Sequence, residues 1–269
     1  MAVAAALFKR ALIIIALLLL LSGPAVAAGE QLRTVAATEI IAKAESGQPI
    51  DYQNISVEGY LDLSGRIIKQ PVKITDSYFS AVNFEGTTFD GPLDLSGSTF
   101  QENVSFLRAR FLGDSNFEDA RFFGQADFRV SLFDGLVSFM MAQFGDDVSF
   151  ANAQFNEEAI FALANFQKDV EFDFAQFSKL ASFSSADFSG GVSFANAIFS
   201  SQSNFGYTIF RGDAIFAATN FGNNVIFRSA RFVDNVTFGL ANFGGFADFA
   251  GATFDEAAFF GVAKFADNG

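Results

Sequence analysis

The sequence predicts an all-β solenoid of very short stacked strands, preceded by one short helix. Phenylalanine makes up 39 of the 269 residues and recurs at alternating intervals of five and six positions. A small or β-branched residue lies two positions before most of these phenylalanines, and 23 glycines with many Asn, Ser and Asp fill the intervals. A self-similar pattern from about residue 50 to the end leaves no room for a second globular domain.

The phenylalanine ladder keeps one register over most of the chain. Between Phe79 and Phe265, 34 of the 39 phenylalanines fall on it, and Leu95 is the single leucine that replaces one. The central members of the predicted core are Phe144, Phe150, Phe155, Phe161, Phe166, Phe172, Phe177 and Phe183.

The local pattern around each phenylalanine has period two. Val148 precedes Phe150 and Ala153 precedes Phe155 by two positions, which directs both members of a pair to the same side of an extended segment. Two such pairs complete an eleven-residue unit. A supercoil of helices can also repeat every eleven residues. On a helix, however, Phe150 and Phe155 would lie about 140° apart and form no single apolar stripe, so the helical interpretation fails.

Several units contain a small residue at the first position, Asp, Asn or Gln at the second and phenylalanine at the third, as at residues 153–155, 164–166 and 186–188. Over about residues 52 to 265 the chain resembles the pentapeptide-repeat family. The resemblance implies a right-handed quadrilateral β-helix in which four strand-and-turn units form one coil. Because the spacing departs from strict fives, we expect coils of about 22 residues, with the extra residue widening alternate corners.

Residues 1–27 resemble a secretory signal peptide. Lys9 and Arg10 precede the apolar run Ala11–Leu21, and a small-x-small cleavage site ends near Ala27. An apolar run of about 11 residues is short for a permanent anchor, which needs roughly 20. We therefore expect an extracytoplasmic protein, whether periplasmic, cell-surface or secreted, with membrane contact only if the segment stays uncleaved.

Residues 28–50 are predicted to form a helical cap for the β-helix, which occupies residues 51–269. Helix-spaced apolar residues occur between Arg33 and Glu45, and Gly47 with Pro49 ends the helix. Phe79, Phe84 and Phe89 follow one another at intervals of five and five, so that one interval is a residue shorter than the alternation requires. This predicts a changed corner near Ser80.

The C-terminal end of the solenoid carries no visible cap. Phe259, Phe260 and Phe265 lie in the last repeats, whereas terminal repeats normally need a polar closing element. The sequence therefore predicts a homodimer that forms end to end through the last coil. The alternative is that the reading frame is truncated.

Composition excludes several chemistries. The chain has no Cys, His or Trp, and its formal charge of −13 argues against direct binding of nucleic acid. We expect no catalytic residues, no cofactor and no dedicated metal site. Asp147 and Asp169 project onto one corner a single coil apart and could hold a divalent cation weakly. The alternative is that Asp and Asn occupy this corner because they suit turns.

These observations favour a non-enzymatic, exported scaffold whose rigid outer faces bind an unknown protein partner. Another function follows from the family resemblance: some pentapeptide-repeat proteins resemble duplex DNA in width and charge, bind DNA gyrase and protect it from quinolones. An acidic rod suits that role only if the protein is not exported. A polysaccharide-acting β-helix enzyme is the third and weakest interpretation.

Overall fold

The computed structural model describes residues 32–266. They form a parallel β-solenoid of about 11 turns with roughly 22 residues in each turn, which confirms the predicted β-helix. The predicted signal peptide lies outside the described residues. Within residues 32–266, the one helix has ten residues, and no helix is long and apolar enough to cross a membrane.

Four strands form each coil, one on each side of a square, and we number the sides faces 1 to 4 in chain order. Each strand pairs in parallel with the strand 22 residues away, so that Phe133 pairs with Phe155 and Val148 with Val170. Parallel pairing in register places identical positions of successive coils directly above one another.

The strands of face 1 are Ile67–Ile68, Thr88–Phe89, Arg110–Phe111, Leu132–Phe133, Gln154–Phe155, Gln176–Phe177, Ile198–Phe199, Asn220–Phe221, Asn242–Phe243 and Lys264–Phe265. The strands of face 2 are Ile50–Gln53, Val72–Thr75, Leu93–Asp94, Ser115–Asn116, Val137–Ser138, Ala159–Ile160, Ala181–Ser182, Ser203–Asn204, Val225–Ile226 and Ala247–Asp248. The strands of face 3 are Thr99–Phe100, Arg121–Phe122, Gln143–Phe144, Asn165–Phe166, Asp187–Phe188, Ile209–Phe210, Arg231–Phe232 and Thr253–Phe254. The strands of face 4 are Val104–Ser105, Ala126–Asp127, Val148–Ser149, Val170–Glu171, Val192–Ser193, Ala214–Ile215, Val236–Thr237 and Ala258–Phe259. Faces 3 and 4 are joined near the N-terminus by two longer strands, Ile55–Asp62 and Tyr78–Asn83, and the first strand, Arg33–Ala36, pairs with Ile55–Asp62.

Two kinds of corner explain the alternation of five and six. The corners from face 2 to 3 and from face 4 to 1 are tight turns. In one of them, the amide of Ala120 donates to the carbonyl of Phe117 at 3.1 Å and Asp119 has a φ of 55°. A positive φ at the third residue is the mark of a type II turn. The corners from face 1 to 2 and from face 3 to 4 contain three residues, as at 112–114. The expected widening of alternate corners is therefore confirmed.

The left-handed corner positions recur every eleven residues and are mostly not glycine. They include Val130, Met141, Leu163, Phe174 and Tyr207, each with a φ close to 60°. The left-handed conformation costs a bulky residue about 1–2 kcal/mol. The pairing of the coils around each of these corners must therefore hold it in place.

The interior is filled by stacked phenylalanine rings. The eight central ladder residues are all at most 1 % exposed. Phe155 stacks on Phe177 with ring centroids 4.6 Å apart, and its edge-to-face neighbour Phe161 lies at 6.0 Å. Offset or tilted aromatic pairs add about 0.5–1.5 kcal/mol beyond burial, and the alanines two positions upstream leave room for the rings.

Buried hydroxyl groups interrupt the apolar interior at a few of the small positions. Ser131 donates to the carbonyl of Phe128 at 2.6 Å, and Thr208 to that of Phe183 at 2.7 Å. Ser115 and Ser203, both on the inner side of face 2, have hydroxyl oxygens without any hydrogen-bond partner. A buried polar group without a partner costs roughly 1–3 kcal/mol.

Ser203→Ala should therefore raise the free energy of unfolding by about 1 kcal/mol, because it removes an unpaired hydroxyl from a site that Ala181 and Ala159 occupy on neighbouring coils. Urea denaturation followed by circular dichroism measures the change. Ser131→Ala is the matched control and should lower stability by about 0.5–1.5 kcal/mol, since it deletes a satisfied hydrogen bond. Shifts of the same sign in both variants would contradict this account.

The cap helix, Ala37–Ser46, closes the N-terminal end of the solenoid. Its Ala37 and Ile40 are buried, and Gly47 ends it in a left-handed conformation. The spacing of apolar residues predicts a helix that begins at Arg33. In the structure, Arg33–Ala36 instead form a strand, because extended backbone can hydrogen-bond to the neighbouring strand Ile55–Asp62.

Side chains of the cap helix also hold the first coil. Glu39 accepts a hydrogen bond of 2.6 Å from the Tyr52 hydroxyl, and the Lys43 ammonium lies 4.4 Å from the centre of the Tyr52 ring. Burial, followed by the bond to Glu39, raises the pKa of Tyr52. Arg66 on the first coil pairs with Glu45 of the helix at 3.0 Å. The cap is thus attached by polar contacts as well as by Ile40.

The predicted change near Ser80 is confirmed. The strand Tyr78–Asn83 runs from face 3 to face 4 with two residues where other coils have a three-residue corner. Its pairing with Ile55–Asp62 shifts register between Val57 and Tyr60, so that the earlier strand bulges to absorb the difference.

The C-terminal end of the solenoid presents open strand edges. In the described part of the chain, the last strand of each face pairs on one side only. Phe259, Phe260 and Phe265 are exposed at this end, and Phe265 stacks on Phe243 of the coil below at 4.5 Å. An unpaired edge beside exposed rings is a surface that favours association.

Candidate functional site

The outer surface of face 4 carries a groove along the N-terminal half of the rod. Two open depressions form it, one of ≈ 710 Å³ and one of ≈ 360 Å³, and both are lined by Gln125 and Asp127. The shared residues place the two depressions side by side, and we call the shallow surface that they form the face 4 groove. It begins near Tyr60, whose ring is exposed, and extends to Glu171.

The strand pattern places acidic side chains on the floor of this groove. The outward positions of face 4 repeat every 22 residues, so that Ser105, Asp127, Ser149 and Glu171 lie on four successive coils. Ser149 donates to the carboxylate of Glu171 at 3.0 Å. Alternation of serine with a carboxylate separates the negative charges by two coil spacings, or roughly 10 Å.

One wall of the groove is the three-residue corner between faces 3 and 4. Its third position holds Asn103, Gln125, Asp147 and Asp169 on successive coils. Asn103 accepts from the amide of Gln125 at 3.0 Å, and Asp169 accepts from that of Gly191 at 2.9 Å. The side chains therefore satisfy backbone amides of the next coil, as Asx side chains do in turns.

The groove is strongly acidic. Six carboxylates line it against one guanidinium. The carboxylates are those of Glu85, Glu102, Asp127, Asp147, Asp169 and Glu171. Arg129 is bound by Asp127 through two hydrogen bonds of 2.9 and 2.7 Å, and this pairing raises the pKa of its guanidinium. Arg129 neutralises Asp127, and Arg108 pairs with Glu85 at 3.5 Å, so that Glu102, Asp147, Asp169 and Glu171 determine the potential of the groove.

Asp147 and Asp169 lie together as the sequence projection indicated, but their geometry favours the turn interpretation over a cation site. Asp147 accepts from the amide of Asp169 at 3.2 Å. Among residues 32–266, no group of three or more acidic side chains is arranged to hold a metal ion. Each of these two carboxylates stabilises the next coil.

Comparison with known proteins supports the repeat interpretation directly. The family model described as pentapeptide repeats (9 copies) matches residues 84–132, 131–176 and 175–220, which together span about half of the chain. The chain belongs to the pentapeptide-repeat family. No curated protein matches it.

Two solved structures match over most of their length, both with low sequence identity and low TM-scores. HetL, described as a pentapeptide repeat protein involved in heterocyst differentiation regulation from the cyanobacterium Nostoc sp. strain PCC 7120, is 13% identical, with 86% of this chain and 94% of that chain covered and a TM-score of 0.33. QnrB1, described as a plasmid-mediated fluoroquinolone resistance protein, is 16% identical, with 80% of this chain and 92% of that chain covered and a TM-score of 0.25.

Other motifs of this pentapeptide-repeat protein are structural. In the tripeptide Arg211-Gly212-Asp213, Arg211 is engaged by Asp187 at 2.6 Å and Asp213 accepts from Asn235 at 3.1 Å. The tripeptide is therefore a corner whose arginine is paired and whose aspartate is hydrogen-bonded. Four outward isoleucines, at 198, 209, 215 and 226, lie on four different faces and form no common patch.

No sequence motif marks Asp127 or Glu171 of this pentapeptide-repeat protein as functional. Both occupy outward strand positions, where polar residues are expected on any solenoid. The sequence signal that groups them is the 22-residue repeat, which places Asp127, Ser149 and Glu171 on one face as it places Asp147 and Asp169 on one corner. Their importance follows from the groove, which only the packed coils create.

Proposed function

We propose that this pentapeptide-repeat protein is a non-enzymatic, exported scaffold that binds a positively charged segment of a partner protein along the face 4 groove. The observation that supports this most strongly is the clustering of six carboxylates, two of them paired with arginines, along one shallow groove on a rod whose interior is filled by phenylalanine. An acidic concave surface attracts and orients a cationic partner.

Family membership supports the non-enzymatic part of the proposal, because pentapeptide-repeat proteins are generally structural or protective. Export rests on the signal-like residues 1–27. Mass spectrometry of the amino terminus after cell fractionation tests export: an Ala28 terminus outside the cytoplasm supports it. An intact Met1 in the cytoplasm would contradict export and favour the alternative, an acidic DNA-mimic rod that binds DNA gyrase, for which a supercoiling assay is the next measurement.

The groove itself is tested by removing charge without removing the corner hydrogen bonds. Glu102→Gln, Asp147→Asn and Asp169→Asn together should abolish capture of cationic partners from an extract of the protein's own compartment. Asparagine retains the amide-accepting oxygen at this corner, as Asn103 shows. Loss of binding would therefore report the loss of charge and not of structure.

A matched control removes three exposed carboxylates elsewhere. Asp51→Asn, Asp90→Asn and Asp119→Asn change the net charge equally and lie off the groove. The control should keep the partners of the unmodified protein, and binding to both should weaken with added salt, since exposed charges are screened. Equal capture by the groove variant and the control would refute the assignment of the groove.

We further propose that the protein forms a homodimer end to end through its C-terminal coil. Phe265→Asp should convert the dimer to a monomer in light scattering after gel filtration, because it places a charge among the rings of the open end. Phe246→Asp is the control: Phe246 is as exposed as Phe265, at 53% against 51%, but lies on a side corner. A Phe265→Asp protein that remains a dimer would contradict this interface.

A further inference from the structure

Face 2 lacks charge over a long stretch of a protein whose net charge is −13. From Val137–Ser138 to Ser203–Asn204, four successive coils place no charged side chain at the outward positions of this face. The outward residues are Ser138, Met140, Ile160, Ala162, Ser182, Ser184, Asn204 and Gly206, and Arg228 on the next coil ends the stretch. Faces 2 and 4 lie on opposite sides of the square, so that the uncharged face is turned away from the acidic groove.

The corner beside this face carries exposed apolar side chains in a strained conformation. Met141, Leu163 and Tyr207 are 38, 54 and 62% exposed and have φ values of 59, 60 and 59°. Gly97 and Gly251 occupy the same corner on other coils without that strain. The corner between faces 4 and 1 carries similar residues, Val130, Phe174 and Leu240, so that it is their position beside the uncharged face that makes Met141, Leu163 and Tyr207 part of a surface suited to an assembly.

Face 1 is a weaker candidate although it is also uncharged over several coils. Its outward positions from Leu132 to Asn242 hold two apolar residues, Leu132 and Ile198, and four amides, Gln154, Gln176, Asn220 and Asn242. Each amide has two donors and an acceptor that must find partners when water is removed. Face 2, where Asn204 is the one amide beside Ile160, Met140, Ala162 and serines, is easier to desolvate.

We propose that face 2 binds face 2 of a second copy of this chain, with the two rods antiparallel. Like charges on the other sides of the rod oppose association of two acidic copies, and this opposition is least where the surface is uncharged. A two-fold axis that crosses face 2 between the coils of Leu163 and Ser185 reverses the order of the coils. It thereby places Met141 against the second copy's Tyr207, which is a favourable contact of sulfur with an aromatic ring.

The same axis makes the charges at the other edge of face 2 complementary. Glu157 and Glu158 lie on one coil of the corner between faces 1 and 2, and Lys179 lies on the next. In residues 32–266, none of the three forms a salt bridge within the chain. Reversal of the coils brings Lys179 of each copy opposite the acidic pair of the other. An interface that matches itself in this way is what two-fold symmetry requires.

The size of the surface sets the strength of the expected contact. Four coils at a spacing of about 4.8 Å extend roughly 15 Å along the rod. Such a patch covers less than the roughly 800 Å² per partner of a standard interface. The lateral dimer is therefore weak and forms on concentration. It leaves both the face 4 groove and the C-terminal end free.

Disulfide trapping tests this register directly, because the natural chain has no cysteine. Met141→Cys and Tyr207→Cys proteins are purified separately, mixed and oxidised. The mixed disulfide between them should form several-fold faster than the one between Met141→Cys and Leu240→Cys. Leu240 is equally exposed in a left-handed corner, at 63%, but on the opposite edge of the rod. Equal rates for the two mixtures would overturn the proposal.

A charge exchange provides an independent readout in sedimentation equilibrium. Lys179→Glu should weaken the lateral dimer several-fold, because it sets like charges against each other. Adding Glu157→Lys to that variant should restore the affinity, since the exchanged pair is complementary again. A double variant as weak as the single one would show that these charges do not face each other and would overturn the proposed register.

Discussion

Phe161→Ala should lower the free energy of unfolding by about 3–5 kcal/mol. Phe161 is fully buried and stacks between Phe139 and Phe183 at 5.0 and 4.9 Å. Two further rings, Phe150 and Phe172, pack edge to face against it at 5.3 Å. Truncation removes contacts with coils on both sides, and tightly stacked neighbours cannot collapse into the space. Urea denaturation monitored by far-ultraviolet circular dichroism measures the loss.

Phe161→Leu is the matched control. Leu95 occupies the same position three coils earlier, where it is fully buried. A volume-conserving exchange should cost less than about 1.5 kcal/mol. If alanine and leucine destabilised the protein equally, the stacking of rings between coils would not be the main source of stability.

The fold could be predicted because its determinants are local and repeated. The five-and-six spacing follows from two corner types, one with two residues and one with three, and every coil repeats both. The conformation of the corners could not be read in the same way. Left-handed backbone is expected at glycine or asparagine, yet Val130, Leu163 and Phe174 adopt it because the coils above and below impose it. The identity of these residues gave no signal of the turn.

The candidate site was only partly predictable. Projection by 22 residues placed Asp147 and Asp169 together, which the structure shows, but the chemistry of that corner depends on the backbone amides that face it. Glu171 gains significance only in the packed coils, where it lines the same depression as Asp147 and Asp169. Sequence periodicity gives the position of a side chain along the rod, while concavity is a property of packed coils.

The boundary of the cap helix depends on a competition between helical spacing within the segment and pairing with a strand that is distant in the sequence. Val35 and Ile40 fit helical spacing, but Val35 lies in a strand whose partner is more than 15 residues later in the chain. Hydrogen bonds to that strand stabilise extended backbone up to Ala36, and the helix begins at the next residue. A pattern confined to Arg33–Glu45 contains no information about this pairing.

Ile40→Asp should detach the cap helix and lower the free energy of unfolding by about 3 kcal/mol or more, because an unpaired charge would be buried against the first coil. Ile40 is completely buried, and the strands beneath it are the first edges of the solenoid. Hydrogen exchange of the amides in Ile50–Gln53 and Ile55–Asp62 measures the effect locally, and thermal unfolding measures it globally.

Thr38→Asp introduces the same charge two residues earlier at an exposed position in the first turn of the helix. A carboxylate there interacts favourably with the helix dipole, so this control should keep the protection of both strands. Faster exchange confined to the Ile40→Asp protein, together with self-association on warming, would follow from uncovered edges that recruit other chains. Unchanged exchange in both variants would mean that the first coil is stable without its cap, and the open C-terminal edge would then need no partner either.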